Sequence, residues 1–178
     1  MKNFIFPFFA NLTIFAFLSL LILLVLLFFK KTRLAVKKFL LPLSLKSILL
    51  ISFLATFGSL LFSEVLGWSP CKLCWFQRIF MYPQVVIAAV SLIKKDKNVF
   101  LYHRYLSFVG LLIALFHYLI QWQVISGIDC NLVSSSSSCV KINFYSGFVS
   151  IPFMSLLAFL LIFILSFFYE NQKKDAKN

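Results

Sequence analysis

Five long apolar stretches restrict this 178-residue chain to a helical membrane protein. They cover roughly residues 4–29, 47–67, 75–93, 105–125 and 147–169, and each is close to the length with which a helix crosses a bilayer. Because unpaired backbone groups cannot face lipid, each stretch is predicted to be helical, and the alternation typical of a β-barrel is missing. Only 12% of the residues are charged, about half the share of an ordinary soluble domain.

The basic residues predict how the chain is oriented in the membrane. Thirteen of the 17 lysines and arginines lie in three segments, 30–46, 94–104 and 170–178, which share one side if all five stretches span. The positive-inside rule makes that side cytoplasmic. Topology thereby accounts for the net charge of +12, and nucleic-acid binding is disfavoured.

The predicted fold is an all-α integral membrane protein, a four-helix transmembrane bundle with one extra N-terminal transmembrane helix. We expect residues 1–46 to form that extra helix and a basic cytoplasmic linker, residues 47–169 the bundle, and residues 170–178 a basic cytoplasmic tail. The first stretch exceeds the apolar core of a signal peptide and has no Ala-x-Ala site, which indicates a retained helix. Short connections between the other four stretches favour an up-down-up-down arrangement.

All four cysteines fall in the two connections predicted to face away from the cytoplasm. Cys71 and Cys74 precede the third stretch, and Cys130 and Cys139 lie between the last two. Disulfides persist outside the reducing cytosol, so two can form here. A Cys-x-x-Cys closes too small a ring to be an effective staple, but it is typical of thiol–disulfide exchange and of metal sites. The serine-rich spacing of the second pair is unlike a zinc knuckle. We therefore expect redox-active pairs and no metal, with static disulfides and a four-cysteine zinc site as alternatives.

Arg78 lies one helical turn after Cys74, on the same face of the predicted helix. Its charge and the helix N-terminus both favour a thiolate in the Cys-x-x-Cys, and an arginine this deep in a membrane helix is usually functional. Glu64 is predicted to pair with Arg78, to move protons or to reach the headgroups. His103, beside Arg104, is expected at the cytoplasmic surface.

Residues 62–84, FSEVLGWSPCKLCWFQRIFMYPQ, resemble the disulfide bond formation protein B family, and most of all its Gram-positive-type members. These proteins are bacterial inner-membrane thiol oxidases that use quinone. The resemblance extends over about residues 47–169, through His117 in LFHYLIQ, the second cysteine pair and GFVSIPF at 147–153. Two features depart from the family pattern, namely the first apolar stretch and the short serine-rich loop.

The resemblance implies a multi-pass enzyme of the bacterial cytoplasmic (inner) membrane with extracytoplasmic cysteine loops. Its partners would be a soluble extracytoplasmic thioredoxin-like thiol oxidase and the membrane quinone pool, menaquinone or ubiquinone. The partner would reduce the Cys130–Cys139 pair, which would exchange with the Cys71–Cys74 pair, whose electrons pass to quinone. This relay would support disulfide formation in exported proteins. The family places quinone contacts near Cys74 at positions matching Arg78 and His117.

Two other functions remain open at this point. A quinone reductase of the vitamin K epoxide reductase kind also combines a four-helix bundle with a Cys-x-x-Cys, although that motif typically lies late in its bundle. A non-enzymatic membrane scaffold or carrier with structural disulfides is the second. It predicts that serine in place of Cys74 leaves function intact.

Overall fold

The computed structural model describes residues 2–94, 98–122, 124 and 148–175, which form five α-helices with no strand among them. Helix α1 covers Lys2–Phe28, α2 covers Lys30–Leu60, α3 covers Lys72–Lys94, α4 covers Val99–Gln121 and α5 covers Ile151–Asp175. A short π-helical segment, Leu61–Val65, extends α2. The predicted all-α fold is confirmed.

Most of these helices have the length and composition of membrane spans. The spanning segments are Ile5–Leu26, Pro42–Val65, Lys72–Lys94 and Val99–Gln121, and α5 adds a shorter apolar segment, Ile151–Phe167. Large apolar side chains such as Phe15, Ile79 and Ile93 are exposed on the outside of the bundle, where lipid would cover them. The protein is therefore a multi-pass helical membrane protein.

Residues 30–46, predicted as a linker, are helical in the structure. Only Phe29, with an extended backbone (φ −82°, ψ 120°), separates α1 from α2. The lysine, arginine and leucine residues of this segment are good helix formers, and Pro42, which lies inside the helix, does not end it. Helix α2 is therefore long, because it begins at Lys30, well before the second apolar stretch.

The helices alternate in direction, so one end of the bundle collects the start of α3, the π-helical end of α2 and the end of α4. We call this the cysteine end. The ring of Phe6 near the start of α1 lies 5.5 Å from that of Trp68, and the Tyr118 hydroxyl of α4 donates to the Phe148 carbonyl just before α5. Both contacts place the starts of α1 and α5 at the cysteine end as well.

The tightest packing in the core joins α4 to α5. Phe159 of α5 is fully buried and lies directly over Gly110 of α4. A Cβ at Gly110 would come within 2.3 Å of the Phe159 ring, so only glycine allows this approach. The core continues through buried residues of α2, α3, α4 and α5: Ile48, Met81, Ala88, Ala114 and Ile162.

A buried polar cluster joins α3 to α4 in the half of the bundle away from the cysteine end. His103 is fully buried, so its predicted surface position is wrong. Its Nδ1 lies 3.4 Å from Gln84 Oε1, to which the Ser107 hydroxyl also donates at 3.1 Å. The physical reason is that α4 begins at Val99, before the predicted apolar stretch, so His103 lies within the part of the helix that packs on α3.

Candidate active site

Cys71 is the N-cap residue of α3. Its carbonyl accepts the first helical hydrogen bond from the Trp75 N–H at 3.1 Å, and its Sγ accepts the Cys74 N–H at 3.4 Å. A side chain that accepts a backbone N–H in the first turn is the defining contact of an N-cap. The chain reaches this position after Gly67, whose left-handed backbone (φ 67°) reverses its direction at the end of the π-helical segment.

The two sulfur atoms of the Cys-x-x-Cys lie 3.0 Å apart and are not joined by a disulfide bond. Cys71 is buried, whereas Cys74 is half-buried. A disulfide bond is about 2.0 Å long, so an approach of about 1 Å would join the pair. The helix start thus holds both thiols in position to form and break one bond.

A chain of buried hydrogen bonds leads from Cys71 into the bundle. His117 Nε2 lies 3.7 Å from Cys71 Sγ, and its Nδ1 lies 3.1 Å from Gln77 Nε2. The Ser155 hydroxyl of α5 donates to Gln77 Oε1 at 2.8 Å. With the Gln77 amide nitrogen facing His117, as the Ser155 bond to Gln77 Oε1 indicates, the Nδ1 of His117 accepts and its ring proton is on Nε2. His117 therefore presents an N–H donor to the Cys71 sulfur.

These contacts favour the ionised form of Cys71. They lower its pKa from the ordinary range of a thiol to about 4, and the largest cause is the hydrogen bond from the Cys74 thiol. Burial opposes the shift, while His117 and the Cys74 N–H add to it. The sequence predicts that Arg78 favours a thiolate at Cys74. In the structure, the contacts that stabilise a thiolate converge on Cys71.

Arg78 is buried beside α2. Its Nε donates to the Ser59 hydroxyl and its Nη2 to the Ser59 carbonyl, both at 2.9 Å, and its guanidinium lies 5.2 Å from the centre of the Trp75 ring. These two bonds use two of the five N–H groups of the side chain. Glu64 does not pair with Arg78 in the structure. Its exposed carboxylate accepts the Ser63 hydroxyl at 3.1 Å instead.

A cavity of about 260 Å³ opens beside the cysteine pair, between α1, α2, α3 and α5. Most polar residues of its wall lie toward the cysteine end, and the deeper wall is apolar except for Thr13 and Tyr82. Arg78 is part of this wall, whereas His117 is not among the described residues that form it. The polar wall residues at the cysteine end are Ser59, Cys74, Gln77, Arg78 and Ser155.

The arrangement of Cys71, Cys74 and His117 also resembles a partial metal site, because their ligand atoms lie within 4.8 Å of one another. Two thiolates on a tetrahedral zinc ion would lie about 3.8 Å apart, given zinc–sulfur bonds of about 2.3 Å. The observed 3.0 Å separation is closer to that of a pair about to form a disulfide. Cys130 and Cys139, which the four-cysteine zinc alternative requires, lie outside the described residues.

Two serines of the site were not predicted from the sequence. Ser59 holds the Arg78 guanidinium, and Ser155 orients the Gln77 amide. Ser155 is the one polar side chain between residues 151 and 165, and this isolation could have indicated its role. Ser59 lies among other small residues of α2, and its sequence context gives no comparable signal.

Comparison with known proteins places the chain in one family. Residues 43–169 match the family described as "Disulfide bond formation protein DsbB". The SPbeta prophage-derived disulfide bond formation protein B of Bacillus subtilis (strain 168) is 44% identical over 114 residues, which cover 64% of this chain and 76% of that protein. Disulfide bond formation protein C of the same organism is 37% identical over 126 residues, covering 70% and 91% respectively.

A third relative is the probable disulfide formation protein of Oceanobacillus iheyensis, 47% identical over 116 residues, which cover 64% of this chain and 79% of that protein. No solved structure matches the chain. The family match contains Cys71, Cys74, Arg78 and His117 and begins after α1. The chain is thus a membrane oxidoreductase that acts in disulfide bond formation, and it belongs to the disulfide bond formation protein DsbB family.

Proposed function

We propose that the protein is a quinone-dependent thiol oxidase that reoxidises a soluble, extracytoplasmic, thioredoxin-like thiol oxidase. The observation that carries this proposal is the position of Cys74. Its sulfur lies 3.0 Å from that of Cys71, and its side chain also forms part of the cavity wall. A thiol that can bond to its neighbour and also face a ligand cavity is suited to transfer electrons from one to the other.

The described residues favour a defined order of events at this pair. When Cys71 and Cys74 are reduced, Cys71 carries the thiolate and Cys74 donates a hydrogen bond to it. Forming the bond between them releases two electrons and the remaining thiol proton. A quinone bound in the cavity would accept the two electrons, with this proton and one from solvent, and become a quinol. His117 keeps Cys71 ionised and thereby ready to bond to Cys74.

The cavity suits a quinone. Its volume is near the lower end of ordinary ligand pockets, about 300 Å³, which fits a ring-sized head group whose tail continues toward lipid. Arg78 has further N–H groups to donate to a carbonyl oxygen. The buried hydroxyl of Tyr82, also on the wall, has no hydrogen-bond partner within the described part of the chain and could donate as well. Arg78, Tyr82 and Cys74 all belong to the cavity wall that would hold the quinone.

The second cysteine pair would connect this site to the partner. The partner's dithiol would reduce a Cys130–Cys139 disulfide and become a disulfide itself, and the two new thiols would then reduce Cys71–Cys74. Each exchange breaks one disulfide as it forms another, so electrons are conserved. The basic segments support a cytoplasmic (inner) membrane location with the cysteine end outside. In intact cells, a membrane-impermeant thiol reagent should then label the cysteine of the Ser69→Cys variant. Absence of labelling at that position would indicate the opposite orientation in the membrane.

The relay is tested with purified protein, a quinone analogue and a reduced thioredoxin-like oxidase. Quinone absorbance is followed for the wild type and for Cys74→Ser and Cys139→Ser. We expect one quinone to be reduced for each partner disulfide formed, and both variants to lose this coupling. Ser69→Ala is the matched control, because Ser69 is exposed in the same loop as Cys71.

The same assay tests the alternatives. A scaffold or carrier with structural disulfides would show no quinone reduction in the wild type, and that result would contradict the proposed electron flow. A quinone reductase of the vitamin K epoxide reductase kind would also pass electrons from a dithiol to quinone. The position of the Cys-x-x-Cys at the start of α3, early in the bundle, favours the thiol oxidase over that enzyme.

A further inference from the structure

Helix α1 forms one wall of the cavity although it lies outside the family match. The match begins at residue 43, whereas Phe9, Leu12, Thr13 and Ala16 of α1 line the cavity. Their spacing of three, four and seven residues from Phe9 places them on a single face of the helix. The four-helix core therefore provides only part of the wall in this chain.

Aromatic contacts attach α1 on both sides of the cavity. On the α2 side, Phe9 packs against Phe62 with ring centres 5.5 Å apart. Gly58 makes this possible, since a Cβ there would lie 2.7 Å from the Phe9 ring. On the α5 side, Phe17 packs against Phe153 at 5.8 Å. Because its two attachments lie on different helices, α1 bridges α2 and α5 across the space between them.

The opposite face of α1 is open to lipid. Phe15 is 72% exposed, Ile22 61% and Val25 58%. Helix α1 thus lies between the cavity and the surrounding bilayer, and the gap between α2 and α5 does not open directly to lipid where α1 crosses it.

We propose that α1 is part of the quinone-binding site and limits the size of quinone that the site accepts. This inference rests on the proposed function. The α1 wall is apolar, since the Thr13 hydroxyl is bonded to the Phe9 carbonyl at 2.8 Å. Helix α1 therefore contacts the apolar ring face or tail of the quinone and leaves its oxygens to α3. Ala16 has the smallest side chain on this face and leaves the most room there.

Photolabelling of the full-length protein tests the contact directly. Purified protein is irradiated with a short-chain azidoquinone and digested, and the labelled peptides are identified by mass spectrometry. We expect label within residues 9–16 of α1 as well as on α3 or α5. Saturable labelling of α2, α3 and α5 with none on α1 would overturn the inference and leave the proposed function standing. The absence of any saturable labelling would overturn both.

A pair of substitutions tests the size limit. Ala16→Phe fills the cavity side of α1, whereas Ser19→Phe makes a similar small-to-large change at an exposed position. We expect Ala16→Phe to weaken equilibrium binding of the azidoquinone by about tenfold or more, as overpacking of a fitted site does, and Ser19→Phe to bind as the wild type does. Equal binding by the wild type and both variants would overturn the size limit. If Ala16→Phe does not fold, the wild-type labelling pattern still decides whether α1 touches the quinone.

Discussion

Removing the groups around Cys71 should return it to the behaviour of an ordinary thiol. The structure attributes its lowered pKa first to the Cys74 thiol and then to His117. Cys74→Ala and His117→Leu should therefore both raise the pKa of Cys71, and the rise should be larger in Cys74→Ala than in His117→Leu. Since a lowered pKa keeps the thiolate present down to about pH 4, both variants should lose reactivity in acid and keep it in alkali.

The size of the effect follows from two opposing factors. At pH 5, a thiol with a pKa of about 4 is about 90% ionised, whereas an ordinary cysteine with a pKa of about 8.5 is about 0.03% ionised. This factor of about 3,000 is reduced by about 100-fold, because a less basic thiolate is a weaker nucleophile, with a Brønsted slope of about 0.4–0.5. Cys71 should thus react with a small disulfide about 30-fold faster than an ordinary cysteine at pH 5.

The assay uses a reduced chain that carries Cys130→Ser and Cys139→Ser. The initial rate of reaction with a dipyridyl disulfide is measured from pH 3 to pH 10. The Cys71→Ser variant is the control, because it reports the part of the rate that is due to Cys74. A rate that rises tenfold per pH unit up to pH 8 in the parent chain would refute the thiolate assignment. An unchanged profile in His117→Leu would refute the role of His117.

Three further predictions concern the packing, the hydrogen-bond network and the buried arginine. Gly110→Ala should lower the free energy of unfolding in detergent by about 1–3 kcal/mol, because the new methyl group clashes with Phe159. Adding Phe159→Leu to this variant should recover part of the loss. An unchanged free energy of unfolding in Gly110→Ala would contradict the close packing. Gln77→Leu should slow the reaction of Cys71 with the dipyridyl disulfide at pH 5, because the His117 ring loses the donor that orients it. A rate equal to that of the parent chain would contradict the tautomer assignment. Arg78→Met should weaken azidoquinone binding by at least about tenfold and change the free energy of unfolding little. A lower free energy of unfolding with unchanged binding would assign Arg78 a structural role.

Much of the fold was accessible from the sequence because the bilayer imposes a simple length rule. Apolar stretches of about 20 residues predicted every helix that the structure describes. Their boundaries were less accurate, since helices continue through charged residues once they leave the hydrocarbon region. The helical 30–46 segment and the buried His103 are both consequences of this continuation.

The candidate site was only partly accessible. Spacing alone indicated Cys71, Cys74 and Arg78, because Cys-x-x-Cys and an (i, i+4) relation are local. The contact between His117 and Cys71 joins residues 46 positions apart and depends on how α4 packs on α3. The contribution of α1 to the cavity depends on where a fifth helix docks, and its uniformly apolar sequence does not specify a face. Cys130, Cys139 and their predicted exchange stay predictions, since these residues lie outside the described part of the chain.

The surroundings of Arg78 support the proposed role in ligand binding over a role in stability. A buried cation in a membrane helix is costly unless an anion or a set of hydrogen bonds compensates for its lost hydration. Within the described residues the Arg78 guanidinium bonds to two neutral oxygens of Ser59 and lies near the face of Trp75, and no carboxylate pairs with it. These contacts orient the charge without neutralising it. An oriented positive charge on a cavity wall, one turn from Cys74, would stabilise an electron-rich ligand as it gains negative charge, which is the role expected beside a quinone accepting electrons.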